Sequence, residues 1–403
     1  MDKIKCPKIE GMIILEEIMA SISTAQKLKG ALLSKLPTKQ IIKRVAQGAQ
    51  EDCATILFTS GSEKEPKAVQ LTHKNLISNI VNFSNWIGIG PTDKILANLV
   101  FFHVFGLTAN LWVTLYHGMT MVTYANPLDF AVISTIAREE KPTVMVGTPS
   151  FFWGYLKKSK KGDFKSLRLM VAGADKCPDA LREGYLKKHG VTLLEGYGAT
   201  ETSPVVSTNS LEYNRPGSIG KPIPGVEVKI LDPDTNQECE AGVVGVIHVK
   251  GDLVMKGYYN EPQLTAEVLK DGWYNTGDMG YLDSDGYLWH SGRLKRFVKI
   301  GGEMVSLVRV EDSLEKLLPQ GVSCCVVDIY DQVRGSSIVA AVTKEINRVD
   351  IVKELAKEIP NIALPKHFVV VEELPMMGTG KVDFRSVTKI VEERLSQQEG
   401  ESN

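Results

Sequence analysis

Five short stretches of the chain carry hydroxyl, carboxylate, basic and glycine residues of the kind found in phosphate- and sugar-binding sites. They are Thr59-Ser60-Gly61-Ser62, Tyr197-Gly198-Ala199-Thr200-Glu201, Tyr274-Asn275-Thr276-Gly277-Asp278, the run GRLKRFVKIGGEMVSL from Gly292 to Leu307, and Leu374 to Lys381 with its Gly-Thr-Gly-Lys loop. The first stretch follows a β-rich segment, and successive amides in such a loop can wrap an anion while the hydroxyls add donors. The fourth joins a basic run to a glycine pair and an apolar segment, a pattern typical of a hinge.

Length and composition limit the class of protein. The 403 residues, 43% of them hydrophobic, can bury a large core and exceed one compact domain, so two domains are expected. Polyanion binding usually shows as a basic bias, and here 47 basic residues face 48 acidic ones, which argues against nucleic acid as a partner. The six cysteines form no CxxC pair and have no histidine spacing suited to zinc, so we interpret them as free thiols in a reducing cytoplasm.

One segment is long and apolar enough to raise the question of a membrane span. From Ile95 to Leu128 the chain has no charged residue, but polar groups such as His103 and Asn110 interrupt the run and are costly in hydrocarbon. The segment reads better as a buried strand (LANLVFF), a loop and helix, and a second buried strand (MTMVTYA), because parallel strands covered on both faces are continuously apolar. No transmembrane segment is therefore predicted.

The order of apolar runs predicts an α/β fold. Residues 1–50 have helical periodicity that ends near Pro37, and a helix begins after Thr72, which suits its N-cap. The β-rich runs 142–149 and 167–174, separated by a helical segment, are typical of a parallel sheet. At its carboxyl edge Gly173-Ala174-Asp175 would form either an adenine platform or a plain turn. Short strands with frequent turns in 217–257 indicate a small β-barrel, and Asp283 to Gly286 a hairpin turn.

In this order the five stretches resemble the adenylate-forming superfamily of acyl-CoA synthetases, luciferases and peptide-synthetase adenylation domains, over Ile56 to Phe384. The sequences of the Gly292–Leu307 run and of LPMMGTGKVDF most resemble the synthetase part of the bacterial acyl-acyl carrier protein synthetase / 2-acylglycerophosphoethanolamine acyltransferase family. Only about fifty residues precede the hydroxyl loop, so the chain is expected to lack the beginning of such proteins. Lys64 and Ala68 stand where the family usually has glycine, which predicts an altered loop.

The resemblance implies a large N-terminal domain of parallel α/β layers with a small β-barrel, and a small, mobile α+β C-terminal domain. The expected boundaries are 1–50 for a helical remnant, 51–291 for the ATP- and acyl-binding domain with its barrel part in 217–290, 292–296 for the hinge, and 297–403 for the lid, whose residues from Ser396 onward are expected to be a frayed tail.

The resemblance also assigns roles to individual residues. Tyr197 would stack on adenine, Thr200 contact the α-phosphate, Glu201 hold Mg²⁺, Asp278 bind the ribose hydroxyls, and Lys381 bridge the carboxylate and the α-phosphate. The catalytic candidates are Lys381, Thr200, Glu201 and His103, the last beside the acyl pocket. The ligand-binding candidates are Thr59, Ser60, Gly61, Ser62, Lys67, Gly173, Ala174, Tyr197, Asp278, Arg293, Lys295 and Lys299, with Gly301 and Gly302 along the pantetheine arm.

The implied activity is ATP- and Mg²⁺-dependent conversion of a fatty acid to acyl-AMP and transfer of the acyl group to the phosphopantetheine thiol of acyl carrier protein. Two alternatives stay open: a medium- or long-chain fatty acid CoA ligase, and a truncated, non-catalytic nucleotide- or acyl-binding homologue. The basic cluster Arg293, Lys295, Arg296 and Lys299 would suit docking of an acidic carrier protein. A cytoplasmic location is expected, with peripheral contact at the inner membrane left open.

Overall fold

The computed structural model describes residues 15–44, 48–59, 66–300, 303–329, 336–376 and 382–401, which belong to two compact units, Met1–Gln50 and Glu51–Asn403. The first unit contains helices α1 (Leu15–Ser21), α2 (Thr24–Leu33) and α3 (Thr38–Ile42). Helical structure is thus confirmed from Leu15 onward, although a third helix follows Pro37, where the pattern was expected to end. Among the described residues of this unit, none is buried.

The second unit contains the strands and the remaining helices. The strands are β1 (Cys53–Phe58), β2 (Ala68–Thr72), β3 (Lys94–Ala97), β4 (Thr120–Thr123), β5 (Val144–Gly147), β6 (Leu169–Ala172), β7 (Leu193–Gly198), β8 (Val205–Thr208), β9 (Lys221–Pro222), β10 (Glu227–Leu231), β11 (Gly245–Lys250), β12 (Gly257–Tyr258), β13 (Leu269–Lys270), β14 (Trp273–Leu282), β15 (Leu288–Arg293), β16 (Phe297–Ile300), β17 (Glu303–Ser306), β18 (Cys324–Ile329), β19 (Ser337–Val342) and β20 (His367–Val370). The helices are α4 (His73–Ile87), α5 (Val104–Gly106), α6 (Val113–His117), α7 (Phe130–Glu140), α8 (Pro149–Lys158), α9 (Asp179–His189), α10 (Pro262–Val268), α11 (Leu307–Leu317), α12 (Arg348–Leu355) and α13 (Phe384–Glu401).

A seven-stranded sheet in the order β4-β3-β5-β6-β7-β8-β9 carries the site. The first five strands are parallel and the last two antiparallel. Side chains alternate across it: Ile95, Val144 and Leu169 pack with α4 on one face, whereas the next residue of each strand packs with α7, α8 and α9 on the other. Because both faces are covered, the central strands β5 and β6 are apolar and buried over their whole length.

The uncharged segment from Ile95 to Leu128 divides between this sheet and a helical connection. Strand β3 ends at Ala97, so the predicted strand LANLVFF was too long; Phe102 lies outside the sheet and is 78% exposed. The connection runs through α5, a π-helical turn at Leu107–Trp112 and α6 to β4, which pairs in parallel with β3. Within the described parts of the chain, no helix has the length and hydropathy needed to cross a membrane.

A second, mostly antiparallel region shares one core between two sheets. Strands β10, β11, β14 and β15 form one sheet, with β13 pairing to the start of β14, and β1, β2 and β12 form the other. Side chains of both sheets, including Val69, Ile247 and Tyr258, meet in this core. The strand pairings of the described residues do not close into one ring, so the barrel-like part is two packed sheets.

The C-terminal part has its own core around the sheet β18-β19-β20. Helices α11 and α12 pack on one face and α13 on the other, so alternate residues such as Cys324 and Cys325 point into different clusters. Helix α13 continues through Ser396 to Glu401, part of the stretch predicted as a frayed tail, and the last two residues of that stretch lie outside the described residues. The apolar side of this helix, with Val387 and Val391, packs against the sheet.

Candidate nucleotide-binding site

The buried carboxylate of Asp278 lies at the centre of the site. It sits in the middle of β14 and is 3% exposed. The Tyr197 hydroxyl donates to Oδ2 over 2.5 Å, and Arg293 Nε lies 3.0 Å from Oδ1. Burial alone would raise the pKa of this carboxyl, but His290, Arg293 and Tyr197 outweigh it and hold the pKa below the ordinary value. Asp278 is therefore kept ionised as an acceptor for hydroxyl groups.

Glu201 is the second carboxylate and lies just beyond β7 in the short 3₁₀ turn Thr200–Thr202. Its side chain is buried, and Oε1 accepts a hydrogen bond of 2.8 Å from the Tyr258 hydroxyl. Lys67 Nζ lies 4.7 Å from the centre of the Tyr258 ring, so the start of β2, the strand β12 and the Thr200–Thr202 turn meet here. Thr200 precedes Glu201 in the same turn.

Tyrosines connect the two carboxylates. The hydroxyl of Tyr197 reaches Asp278, and that of Tyr258 reaches Glu201. Tyr274 is 4% exposed, and burial first, then the nearby Glu201 carboxylate, raises its pKa well above the ordinary value, so it remains a neutral phenol. No role was predicted from the sequence for Tyr258 or Tyr274. Tyr258 is 57 residues from Glu201, and Tyr274 had only its place at the start of YNTGD as a signal.

The loop after β6 contains Gly173 and Ala174, for which the sequence predicted an adenine platform. Ala174 has φ 68°, a left-handed conformation that brings the chain back over the sheet edge. A Cβ added at Gly173 would lie 3.2 Å from the Phe105 ring and 3.5 Å from the Gly196 carbonyl oxygen, so this glycine permits close packing of three segments. Glu195 of β7 holds the end of the loop by accepting from the Cys177 backbone N–H over 3.2 Å.

The predicted phosphate loop begins and ends between two antiparallel strands. The Thr59 backbone N–H donates to the Lys67 carbonyl over 3.0 Å, and Thr59 Oγ1 accepts from the Lys67 N–H over 3.1 Å. From the sequence, a helix was expected to follow the loop directly, but strand β2 lies between the loop and the helix. The prediction that Thr72 is the N-cap of this helix, α4, is confirmed. Ser60, Gly61 and Ser62 lie outside the described residues, as do Lys64, Gly301, Gly302 and Lys381.

The remaining candidates are less central. His103 is the N-cap of α5, and its Nδ1 accepts from the Phe105 N–H over 3.2 Å. Lys295 is exposed on a 3₁₀ turn, and Lys299 Nζ lies 3.2 Å from Asp234 of the β10–β11 connection. The cluster proposed for carrier-protein docking therefore does not form one free surface.

Arg296 corrects that docking prediction most clearly. It is 6% exposed and donates from Nη1 to the Val326 carbonyl and from Nη2 to Glu311, both over 2.6 Å. Its guanidinium carbon also lies 4.0 Å from the centre of the Phe384 ring. This arginine belongs to the core of the C-terminal part, because its fork of donors satisfies buried acceptors there.

A parallel sheet with carboxylates and aromatic residues at its carboxyl edge defines a nucleotide-binding protein of the α/β class. The family pattern described as AMP-binding enzyme matches residues 7–259, and that of the AMP-binding enzyme C-terminal domain matches residues 310–381. The chain belongs to the AMP-binding enzyme family.

Curated relatives include the long-chain-fatty-acid–CoA ligase of Bacillus subtilis, 33% identical over 83% of this chain and 61% of the relative, and the indoleacetate–CoA ligase of Aromatoleum aromaticum, 32% identical over 83% and 67%. The chain thus spans about three fifths of the length of the first of these. Among solved structures, ATP-bound MatB of Rhodopseudomonas palustris matches with a TM-score of 0.79 at 29% identity, covering 86% of this chain and 69% of that one. The o-succinylbenzoate CoA synthetase MenE of Bacillus subtilis, with its acyl-adenylate intermediate, matches with a TM-score of 0.76 at 28% identity, covering 87% and 73%. These likenesses confirm the adenylate-forming superfamily and the α/β fold predicted from the sequence.

Proposed function

We propose that the protein is an AMP-forming fatty acid CoA ligase. It would convert a fatty acid and ATP to acyl-AMP and pyrophosphate, and then transfer the acyl group to the thiol of CoA with release of AMP. The observation that carries the proposal is the ionised, buried Asp278, held by Tyr197 and Arg293 at the sheet edge that also bears Glu201. A carboxylate in this setting suits the two hydroxyls of a ribose.

In this proposal the other site residues each bind a different part of the nucleotide. Tyr197 and the Gly173-Ala174 loop would enclose the adenine, and Thr200 would donate to the α-phosphate. Glu201 would give Mg²⁺ one carboxylate oxygen, which fits a hard cation that keeps several waters and phosphate oxygens as its other ligands. When bound, Mg²⁺ supplies positive charge to the phosphates. Lys67 would lie close to the same phosphates, beside Tyr258.

The chemistry of the first step asks mainly for positioning and for positive charge. A carboxylate oxygen of the fatty acid attacks the α-phosphorus, the bond to the β-phosphate oxygen breaks, and pyrophosphate leaves with its charge. Lys381 would hold the attacking carboxylate against the α-phosphate in this step. For the second step the part beyond the hinge at 292–296 would reorient, so that residues 297–403 act as a lid on 51–291 and Gly301 and Gly302 border the pantetheine arm.

The identity of the acceptor and of the acid rests on the relatives. The first two relatives above are named as CoA ligases, which supports CoA over acyl carrier protein, the acceptor first expected from the motifs. The first is named for long-chain fatty acids, as is a relative from Salmonella typhimurium that is 31% identical over 82% of this chain. His103 and Phe105, beside the adenine platform, would border the acyl pocket.

The test is pyrophosphate release by the 403-residue chain with ATP, Mg²⁺ and acids of increasing chain length. Lys381→Ala is expected to lower the rate about 10- to 100-fold, since a charged hydrogen bond in the transition state is lost. Lys389→Ala, an exposed lysine of α13, is the matched control and should leave the rate unchanged. Thioester formation is then compared between CoA and holo-acyl carrier protein. Absence of acid-dependent pyrophosphate release from the folded, unsubstituted chain would refute the proposal.

A further inference from the structure

An irregularity in the pairing of β14 with β15 brings a histidine to the central carboxylate. Asp278 is opposite Arg293 and Met279 opposite Gly292, but Gly280 is opposite His290, so Ser291 is an extra residue in β15. In a regular strand, residues three apart point to opposite faces. One extra residue restores them to the same face, and the positive φ of 116° at Gly292 accommodates the bend. His290 and Arg293 therefore both reach Asp278.

The imidazole of His290 borders two groups of the site. Its Nε2 lies 3.8 Å from Asp278 Oδ1, the same oxygen that Arg293 contacts. Its ring centre lies 5.9 Å from that of Tyr197, with the planes inclined by 33°. The His290 side chain is 35% exposed and that of Asp278 only 5%, so the imidazole connects the buried carboxylate with solvent. The distance of 3.8 Å is too long for a direct hydrogen bond and leaves space for the imidazole or the carboxylate to adjust.

We propose that His290 is a positioning residue for the nucleotide: it limits the orientations of Asp278 and Tyr197, and so sets where the ribose and the adenine lie. This inference rests on the proposed function, because it takes Asp278 as the ribose acceptor. A small rotation of either side chain brings the ring nitrogen within hydrogen-bond distance of Oδ1 and fixes that oxygen, while the ring lies beside that of Tyr197. With His290 in place, the two groups that meet the nucleoside are ordered before it binds, which lowers the entropy cost of binding.

Two substitutions separate the nitrogen from the ring. His290→Phe keeps an aromatic ring against Tyr197 and removes the nitrogen, whereas His290→Gln keeps an N–H donor at a similar reach and removes the ring. The measurements are KM for ATP and kcat in the pyrophosphate assay, the affinity for AMP by titration calorimetry, and the midpoint of thermal unfolding. His367→Phe, at an exposed histidine of β20, is the control for an unrelated histidine.

We expect His290→Phe to raise KM for ATP and to weaken AMP binding about three- to tenfold with kcat within about twofold. His290→Gln should weaken AMP binding less, because it keeps a donor near Asp278 and loses only the ring beside Tyr197. Unchanged AMP affinity and KM in both variants, or equal weakening in both, would overturn the role of the nitrogen. If the unsubstituted chain binds AMP but releases no pyrophosphate, the proposed function fails while calorimetry still tests His290. If it binds no AMP, both fail.

Discussion

At the scale of single residues, Asp278 shows how a buried charge is made tolerable and useful. A carboxylate at 3% exposure loses its water, and this cost is offset only because a phenol and a guanidinium contact it. Both partners lie in other strands or turns of the site, Tyr197 in β7 and Arg293 in β15. The hydrogen bond between Tyr197 and Asp278 therefore also holds the barrel-like part against the main sheet, at the place where a nucleotide would bind.

Asp278→Asn is expected to remove the charge and keep the shape. KM for ATP should rise about 10- to 100-fold, because charged hydrogen bonds to the ribose become neutral ones. Titrations of ATP against the initial rate of pyrophosphate release would measure this effect. A KM within about twofold of that of the unsubstituted protein would show that Asp278 does not meet the nucleotide.

The same substitution should also change how stability depends on pH. The folded-state pKa of Asp278 is depressed below 3.8, so its contribution is present above that value and is lost as the pH falls through the folded pKa. The difference in unfolding free energy between the two proteins should therefore shrink between about pH 6 and about pH 3. Urea unfolding at both pH values gives the comparison, and a difference that grows on acidification would contradict the assignment.

At the scale of elements, the turn after β7 depends on one glycine. A Cβ at Gly198 would lie 1.9 Å from the Pro204 carbonyl oxygen, because β8 returns directly against the end of β7. The turn between them carries Thr200 and Glu201. The close contact between the two backbone segments therefore explains why the second residue of glycine type in GYGATE, Gly198, is required, independently of any contact with a ligand.

Gly198→Ala is expected to destabilise the fold by more than about 2 kcal/mol, since backbone rather than a flexible side chain must move. Gly90→Ala is the matched control, because nothing lies within 4 Å of an added Cβ there. Thermal unfolding of the two variants measures the difference. Equal midpoints would mean that the turn adjusts freely, and the position of Glu201 would then not depend on this glycine.

At this scale, features that depend on interactions between residues close together in the sequence could be predicted, and features that depend on strand pairing could not. The N-cap at Thr72 and the hairpin turn at Asp283 depend on bonds between residues a few places apart: Thr72 Oγ1 accepts from Asn75 N–H, and Asp283 accepts from Tyr287 N–H. The pairing of β12 with β2 joins strands far apart in the chain, and the extra residue in β15 changes the register of a hairpin without any signal in residue type. For that reason the sequence indicated Glu201 and Asp278 but missed Tyr258 and His290.

At the scale of the whole second unit, the basic residues near 292–299 differ in burial and in the partners that they contact. Lys299 forms an exposed ion pair with Asp234, and another exposed pair joins Lys176, after the adenine platform, to Asp312 of α11. Exposed ion pairs contribute about 0 to 1 kcal/mol each to the free energy of unfolding, so breaking one of them costs little stability. Arg296, by contrast, is enclosed with Glu311 and anchors the start of the C-terminal part to its own core.

Arg296→Ala should therefore cost about 3 to 5 kcal/mol, because it leaves Glu311 buried without its cation. Lys299→Ala, a neighbouring exposed cation, should cost about 0 to 1 kcal/mol.

Burial raises the pKa of Glu311 above 4.5 and Arg296 opposes this, so removing the arginine raises that pKa further. A carboxyl with a raised folded pKa contributes stability below its unfolded value and loses it as the pH rises. The penalty in Arg296→Ala should accordingly be smaller at about pH 4 than at about pH 7, as measured by urea unfolding. A penalty independent of pH would point to lost packing on Phe384 as its cause, and would separate the two roles of this side chain.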